Sequence, residues 1–300
     1  MEKLSPGKRK FLGEGMILLE CLLWGIGNPI SKIGMEHIPA FWCIGLRFLL
    51  AFVLFIIFFR KRIFTALPGV DWKNCILISI FNGLAFIFGN LSLLYTTATI
   101  SSFLMSLSVI FTPFVSMILL KKRSNFKTYF CILIVIAGLY FLCGNEGSFS
   151  FGIGELLAIL CSASLGICLT LTSKYIADTD PIVLATLQSA VAAVLSIIGA
   201  FIFNGPLSLS SVDSVGIFAI VYLALACTVA AYILQNVAMR YMSAVFASVV
   251  FCTEPVFTAA AAYFMLDERL SITGFAGGFL ILLGVVAASL FQLEKPKKEI

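Results

Sequence analysis

Three ionisable side chains lie inside long apolar runs of this sequence: Glu20, Arg47 and Glu254. A charge at the centre of a membrane helix costs about 2.5–3.5 kcal/mol on insertion scales, so such residues are candidates for function or for structural pairing. At about 1.5 Å per helical residue, Glu254 and Arg47 have similar predicted depths, and Glu20 lies nearer one surface. For Arg47 the favoured interpretation is a fixed ion pair that holds helices together, for which Glu254 is a candidate partner. For Glu254, pairing and proton or substrate chemistry both stay open.

Three prolines also fall in the middle of apolar runs. Proline has no backbone N–H, and it leaves the carbonyl four residues earlier without its helical donor. Irregular backbone at membrane depth is found where it lines a cavity or is buried in protein. Pro29, Pro113 and Pro255 are therefore predicted helix breaks, either at a binding cavity or at a kink that a neighbouring helix satisfies.

Polar and aromatic residues at similar depths are candidates to line a path through the protein. A binding site combines a few directional polar groups with apolar walls, although in membrane bundles the same residue types also hydrogen-bond helices to one another. Both roles are open for each candidate. Besides Glu254, the candidates are Trp24, Asn28, Asn82, Asn90, Ser108, Gln188, Tyr232 and Gln235.

The elements that would position these residues are membrane-spanning helices. The 300 residues are 61% hydrophobic and 12% charged, against about 45–50% and about 25% in soluble domains. Crossing a hydrocarbon core of about 30 Å takes about 20 apolar residues. The sequence therefore predicts an all-α integral membrane protein with ten transmembrane helices. They are predicted at 15–35, 39–59, 73–95, 98–120, 126–143, 152–175, 181–203, 214–239, 243–266 and 271–291.

The basic residues predict how these helices are oriented. Seventeen of the 20 fall in segments that ten crossings place on one side, whereas Lys32 and Arg269 fall on the other. The positive-inside rule assigns the richer side to the cytoplasm. The N-terminal segment 1–13, the basic tail 293–300 and the loops near Lys61, Lys122 and Lys174 are then cytoplasmic, in a plasma or bacterial inner membrane. The loops predicted outside are those near Glu36, Glu146, Asp213 and Glu268.

The chain also resembles itself at a fixed separation. An offset of 146 aligns Tyr95-x-x-Ala98 with Tyr241-x-x-Ala244, and an offset of 142 aligns Pro39 with Pro181. Two repeats, 14–147 and 150–292, are therefore predicted, each with five helices. Because five is odd, the second copy must cross the membrane in the opposite direction, as in the inverted repeats of many secondary transporters.

These motifs together resemble the EamA-like domain of the drug/metabolite transporter superfamily. The resemblance implies a ten-helix exporter or facilitator with a central cavity between the halves, working by alternating access, for substrates such as amino acids, nucleosides, pigments or drugs. In the first half it is carried by Leu22-Leu23-Trp24-Gly25, Lys32, Arg47-Phe48, Tyr95-x-x-Ala98 and Gly138. In the second half it is carried by Gln235-Asn236-x-Ala238, Tyr241-x-x-Ala244, Glu254-Pro255, Asp267-Glu268-Arg269-Leu270, Gly274 and Gly284.

Several other classes of function are disfavoured by what the sequence contains. The Lys and Arg residues lie in short clusters between apolar runs, which indicates membrane topology and no nucleic-acid partner. Nine cysteines without a C-x-x-C pair and a single His, His37, predict no metal site and no cofactor. The expected partners are a small-molecule substrate and membrane lipid, with proton coupling as a candidate. A lipid flippase, an intramembrane lipid-modifying enzyme, and a monomer or homodimer stay open.

Overall fold

The computed structural model describes residues 6–121, 125–143, 152–207, 212–269 and 271–292. All regular structure in these ranges is helical. The predicted loops around Lys122 and Glu146 and the basic tail 293–300 lie outside the described residues, so their sides of the membrane stay predictions.

The helices follow one another with short connections. The first half contains α1 (Pro6–His37), α2 (Ala40–Ala66), α3 (Trp72–Ser92), α4 (Ala98–Met105), α5 (Ser108–Leu120) and α6 (Phe126–Cys143). The second half contains α7 (Ile153–Tyr175), α8 (Pro181–Phe203), α9 (Ser214–Ala224), α10 (Ala231–Ala238), α11 (Ala244–Phe251), α12 (Glu254–Leu266) and α13 (Ile272–Gln292). A 3₁₀ turn (Leu67–Gly69) follows α2, and a π-helix (Leu225–Ala230) joins α9 to α10.

Eight helical stretches in the described residues are long and apolar enough to cross a membrane, and two further apolar helices are shorter. The shorter ones are Phe126–Phe141 and Ile272–Ala288. Each predicted segment thus contains helix in its described part, whereas the count of ten crossings stays a prediction. Three of the predicted single helices are composite, because α4 continues into α5, α11 into α12, and α9 through the π-helix into α10.

The composite helices are interrupted by turns at two places, and only one of these turns lies near a proline that was predicted to break a helix. One lies at Ser106–Leu107 and the other at Cys252–Thr253. Pro255 lies in the first turn of α12, where its missing N–H costs no helical hydrogen bond. Pro29 and Pro113, by contrast, lie inside α1 and α5.

The repeat is visible in the local structure of both halves. The helices α4, α5 and α6 begin 146 residues before α11, α12 and α13. Thr97 and Ser243 cap α4 and α11 in the same way, each accepting a hydrogen bond from the backbone N–H three residues later. At the ends of α5 and α12, Lys121 (φ 52°) and Asp267 (φ 54°) both adopt the left-handed conformation.

The two halves also exchange equivalent contacts. Gly25 of α1 packs so closely on Phe257 of α12 that an added Cβ would lie 2.5 Å from the Phe257 Cβ. Gly166 of α7 packs in the same way on Phe111 of α5, at 2.9 Å. Helices of one half thus pack on helices of the other in a reciprocal arrangement, as an approximate two-fold axis between the halves produces.

Polar contacts tie the connections together at the two ends of α2. At one end, Arg62 Nε donates to Asp180 Oδ2 at 2.9 Å, and Arg240 Nη2 donates to the carbonyl of Thr179 at 2.7 Å. At the other end, His37 Nδ1 lies 2.7 Å from Asp213 Oδ2. These contacts group the connections as the basic residues predict, although which end faces the cytoplasm stays a prediction.

Candidate functional site

A cavity with about 60 Å³ of space for water-sized groups lies between the two halves. Five of the predicted path residues, Trp24, Asn28, Asn90, Ser108 and Glu254, line it, and Arg47 lines it as well. The other lining residues are Gly27, Ser31, Ala85, Phe86, Gly89, Met105, Ser106, Cys161, Leu165, Leu223, Cys227 and Phe251. In this conformation the cavity has room for a few water molecules, each of which needs about 10–15 Å³ by this measure.

Glu254 is the first residue of α12, directly after the interruption at Cys252–Thr253. Its Oε1 accepts a hydrogen bond of 2.9 Å from Asn28 Nδ2 of α1. The same amide nitrogen lies 3.1 Å from Thr258 Oγ1, whose hydroxyl is 3.1 Å from Ser102 Oγ of α4. A carboxylate of the second half is thus held by an amide of the first, at the wall of the cavity between them.

Two electrostatic effects act on the Glu254 carboxylate. The N-terminus of α12 favours a negative charge by about 0.3–1 kcal/mol. Burial at membrane depth opposes the charge by about 2.5–3.5 kcal/mol on insertion scales. Because burial is the larger effect, this carboxylate requires a cation, water or a proton in the cavity beside it.

Arg47 of α2 is held by the π-helix. Its Nε donates to Thr228 Oγ1 at 2.9 Å, and its Nη2 donates to the carbonyl of Cys227 at 3.1 Å. The guanidinium carbon also lies 5.0 Å from the ring centres of both Phe48 and Phe86, a distance at which a cation interacts favourably with an aromatic face.

The favoured interpretation of Arg47 as half of an ion pair is therefore not realised in the part of the chain that the structure describes. Arg47 and Glu254 line one cavity, but no salt bridge joins them. In place of the expected carboxylate, the Arg47 guanidinium contacts a hydroxyl and a carbonyl of the π-helix and two aromatic rings.

Aromatic rings form the apolar wall of the cavity. Trp24 stacks on Phe251 at 5.5 Å and meets Phe86 edge-on at 5.5 Å. Its indole N–H donates to the Cys227 carbonyl at 2.8 Å. Because the N–H is used in this way, the indole offers the cavity mainly its apolar surface.

The remaining predicted path residues lie outside the cavity lining. Asn82 Nδ2 donates to the Tyr232 hydroxyl, which joins α3 to α10. Asn236 Nδ2 donates to Gln188 Oε1 at 2.9 Å, which joins α10 to α8. Gln235, the residue before Asn236, is also buried. In this structure Asn82, Tyr232 and Gln188 connect helices, whereas Gln235 Oε1 has no hydrogen-bond partner among the described residues. The part of these four residues in a substrate path stays a prediction.

Glu20 of α1 is completely buried, and it does not line the cavity. Within the described residues neither of its carboxylate oxygens has a hydrogen-bond partner. A buried carboxyl group without a partner is costly at membrane depth, so Glu20 stays a candidate for function.

Sequence reasoning missed two parts of the site. The Ser31 hydroxyl donates to Asn90 Oδ1 at the cavity wall, although a serine in an apolar run carries little signal of its own. The π-helix was predicted as ordinary α-helix within 214–239, because one extra residue in a turn leaves an apolar run unchanged. Polar groups close to such irregular turns are often functional.

Comparison with known proteins decides the family. A sequence model of the EamA-like transporter family matches residues 11–144 and, a second time, residues 152–290. The chain belongs to the EamA-like transporter family. The double match confirms the resemblance and the tandem repeat, and it identifies the chain as a multi-pass membrane protein of a transporter family.

Individual relatives are named as transporters, and one solved structure shares the fold. An uncharacterised transporter of Archaeoglobus fulgidus is 30% identical over 291 residues, which are 95% of this chain and 88% of the relative. A probable amino-acid metabolite efflux pump of Escherichia coli K12 is 24% identical over 90% of this chain and 92% of its own length. A crystal structure with 17% identity has a TM-score of 0.78, covers 98% of this chain and 100% of its own, and shows the shared fold.

Proposed function

We propose that this protein is a secondary transporter that moves small organic metabolites across a plasma or bacterial inner membrane by alternating access. The observation that carries the proposal is Glu254, a carboxylate at a helix junction in the wall of a cavity between the two repeats. Amino acids and related amphiphilic compounds are the first candidate substrates, since one relative is named as a probable amino-acid metabolite efflux pump.

The contact between Asn28 and Glu254 suits such a cycle. It is a single hydrogen bond of 2.9 Å between α1 of one repeat and α12 of the other. A substrate cation or a proton competes with Asn28 for the carboxylate, so occupancy of the cavity changes how firmly the repeats are held together. Rocking of one repeat against the other is the motion expected of inverted repeats.

Proton coupling through Glu254 and Glu20 is part of the proposal. Glu254 lines the cavity. Glu20 lies in α1, toward the end of that helix that is predicted to face the cytoplasm. Carboxylates at membrane depth are the groups that proton relays use, so both are proposed as sites that take up and release the coupled proton.

The proposed orientation is two inverted five-helix repeats with both termini in the cytoplasm. It is supported by the distribution of basic residues and by the grouping of connections at the two ends of the bundle. In this orientation, residues of two oppositely oriented repeats line one cavity.

Flux through purified protein in liposomes tests the proposal. Amino acids, nucleosides and amphiphilic compounds are offered as a panel, with and without a pH gradient, and protein-free liposomes serve as the blank. We expect saturable flux of at least one compound, with a rate or accumulation that responds to the gradient. Absence of protein-dependent flux for the whole panel would contradict the transport proposal, and flux that ignores the gradient would contradict the coupling.

A further inference from the structure

Arg47 is a positive charge inside the bundle that has no carboxylate partner among the described residues. Its side chain is 3% exposed. Among the described residues no carboxylate forms a salt bridge with it. An arginine stays protonated in proteins, so its charge in this place lacks a compensating anion.

The contacts of Arg47 fix the guanidinium without neutralising it. The Thr228 hydroxyl and the Cys227 carbonyl accept from Nε and Nη2, and the ring centres of Phe48 and Phe86 each lie 5.0 Å from the guanidinium carbon. A hydroxyl, a carbonyl and two rings are neutral groups. The π-helix therefore orients the side chain and leaves its charge for something else.

Arg47 lines the cavity, and part of its guanidinium group makes no hydrogen bond with the described residues. Within the described residues, Nη1 donates to no acceptor. A second, independent group points to the same space, since Ser108 lines the cavity, is completely buried, and has a hydroxyl oxygen without a partner in the described chain. A planar fork of N–H donors with a hydroxyl in the same wall suits a carboxylate.

We infer that Arg47 is an anion-binding subsite of the cavity and that it takes the carboxylate of a small organic acid. The inference rests on the proposed transport function and narrows its substrate class. Glu254 with Asn28 marks a second polar position in the same cavity, and Trp24 with Phe251 gives the apolar wall. A compound that carries a carboxylate, an ammonium group and an apolar side chain satisfies all three.

A matched set of ligands separates this role from a structural one. The probes are 3-phenylpropionate, phenylalanine and phenylalaninamide, in which the carboxylate is masked. Their binding to purified protein is measured by calorimetry for the wild type and for the variants Arg47→Gln and Arg47→Lys. Arg240→Gln is the control, because Arg240 also donates to backbone carbonyls, of Ile176 and Thr179, but does not line the cavity.

We expect the wild type to bind the two carboxylates about tenfold or more tightly than the amide. Arg47→Gln should abolish that preference, Arg47→Lys should retain part of it, and Arg240→Gln should leave it unchanged. Equal affinity of the wild type for all three compounds, no binding of either carboxylate, or an equal loss for all three compounds in Arg47→Gln would overturn the inference.

A second measurement needs no variant and covers the case in which Arg47→Gln does not fold. Phenylglyoxal modifies accessible guanidinium groups, and the modified residue is located by mass spectrometry of the wild type. The carboxylates should protect Arg47 and leave Arg240 unprotected, whereas the amide should protect neither. Equal modification of Arg47 with and without carboxylate would overturn the subsite.

Failure of this inference and failure of the transport proposal give different results. Liposome flux of neutral or cationic compounds, together with no carboxylate binding, would overturn the Arg47 subsite and leave transport standing. Carboxylate binding with protection of Arg47, but no flux of any compound, would support the subsite and contradict transport.

Discussion

At the scale of single residues, the site depends on how an intramembrane carboxylate is satisfied. Glu254 is accepted into the bundle because Asn28 donates to it at 2.9 Å and the start of α12 offers a favourable dipole. Neither contact cancels the charge, which keeps the carboxylate available to whatever enters the cavity. Glu20, without a described partner, is the second place where the protein holds a carboxyl group at such cost.

The amide of Asn28 is expected to serve function more than stability. Asn28→Ala removes the donor to Glu254 and should lower flux or shift its pH dependence, since the carboxylate then depends on water or substrate alone. Loss of a buried hydrogen bond also costs about 1–3 kcal/mol. Flux per folded molecule and thermal unfolding in detergent measure the two effects separately.

Asn236→Ala is the matched control for Asn28→Ala. Asn236 donates to Gln188 at 2.9 Å away from the cavity, so this variant should lose stability while its flux per folded molecule persists. Equal flux defects in the two variants would show that the Asn28 effect is only structural.

At the scale of elements, the junctions carry the features that the repeats share. The interruptions at Ser106–Leu107 and Cys252–Thr253 and the left-handed residues Lys121 and Asp267 recur at a separation of 146. The second interruption places Glu254 at a helix start, and the π-helix places the Thr228 hydroxyl and the Cys227 carbonyl under Arg47. Irregular turns therefore position both charged groups of the cavity.

Glycine at either left-handed position should stabilise the protein. A left-handed conformation costs a residue with a Cβ about 1–2 kcal/mol, whereas glycine adopts it readily. Lys121→Gly and Asp267→Gly should therefore raise the thermal unfolding temperature, each by a similar amount because their φ angles are 52° and 54°. Lys73→Gly, inside α3, should lower it. A lower temperature for the two junction variants would contradict the predicted stabilisation, and shifts of very different size would contradict the equivalence of the two positions.

The connection before α9 should make stability depend on acid pH. The Gly216 N–H, the His37 side chain and the Val215 N–H, in that order of effect, lower the pKa of the Asp213 carboxyl. A lowered pKa contributes stability above the pKa of the unfolded chain, about 3.9, and this contribution is lost as pH falls through the lower folded value. Thermal unfolding of Asp213→Asn across acid pH should show a weaker decline, and an unchanged pH profile would contradict this.

At the scale of the whole molecule, the helices could be predicted because a segment in lipid must hydrogen-bond its own backbone groups. Long apolar runs admit few alternatives to helix, and the predicted starts at 126 and 181 coincide with those of α6 and α8. The interruptions were hidden, because a turn such as Ser106–Leu107 is as apolar as the helix around it. Of the three prolines, only Pro255 lies next to one of these interruptions.

The site could be predicted in part, for a reason of geometry. Position in a run gives depth, and depth singled out Trp24, Asn28 and Glu254, which the structure brings to one cavity. Depth does not give direction around the helix axis. Asn82 and Gln188 therefore have suitable depths but point to other helices.

The whole account depends on Glu254 as a working residue of a transport cavity. Glu254→Gln keeps the size and most hydrogen bonding of the side chain and removes its charge, and Glu36→Gln makes the same change at an exposed residue of α1 that does not line the cavity. The decisive measurement is gradient-driven flux in liposomes for these two variants and the wild type. We predict that Glu254→Gln folds normally and loses about tenfold or more of that flux, whereas Glu36→Gln matches the wild type. Well-folded Glu254→Gln with normal flux and an unchanged response to the pH gradient would contradict the account.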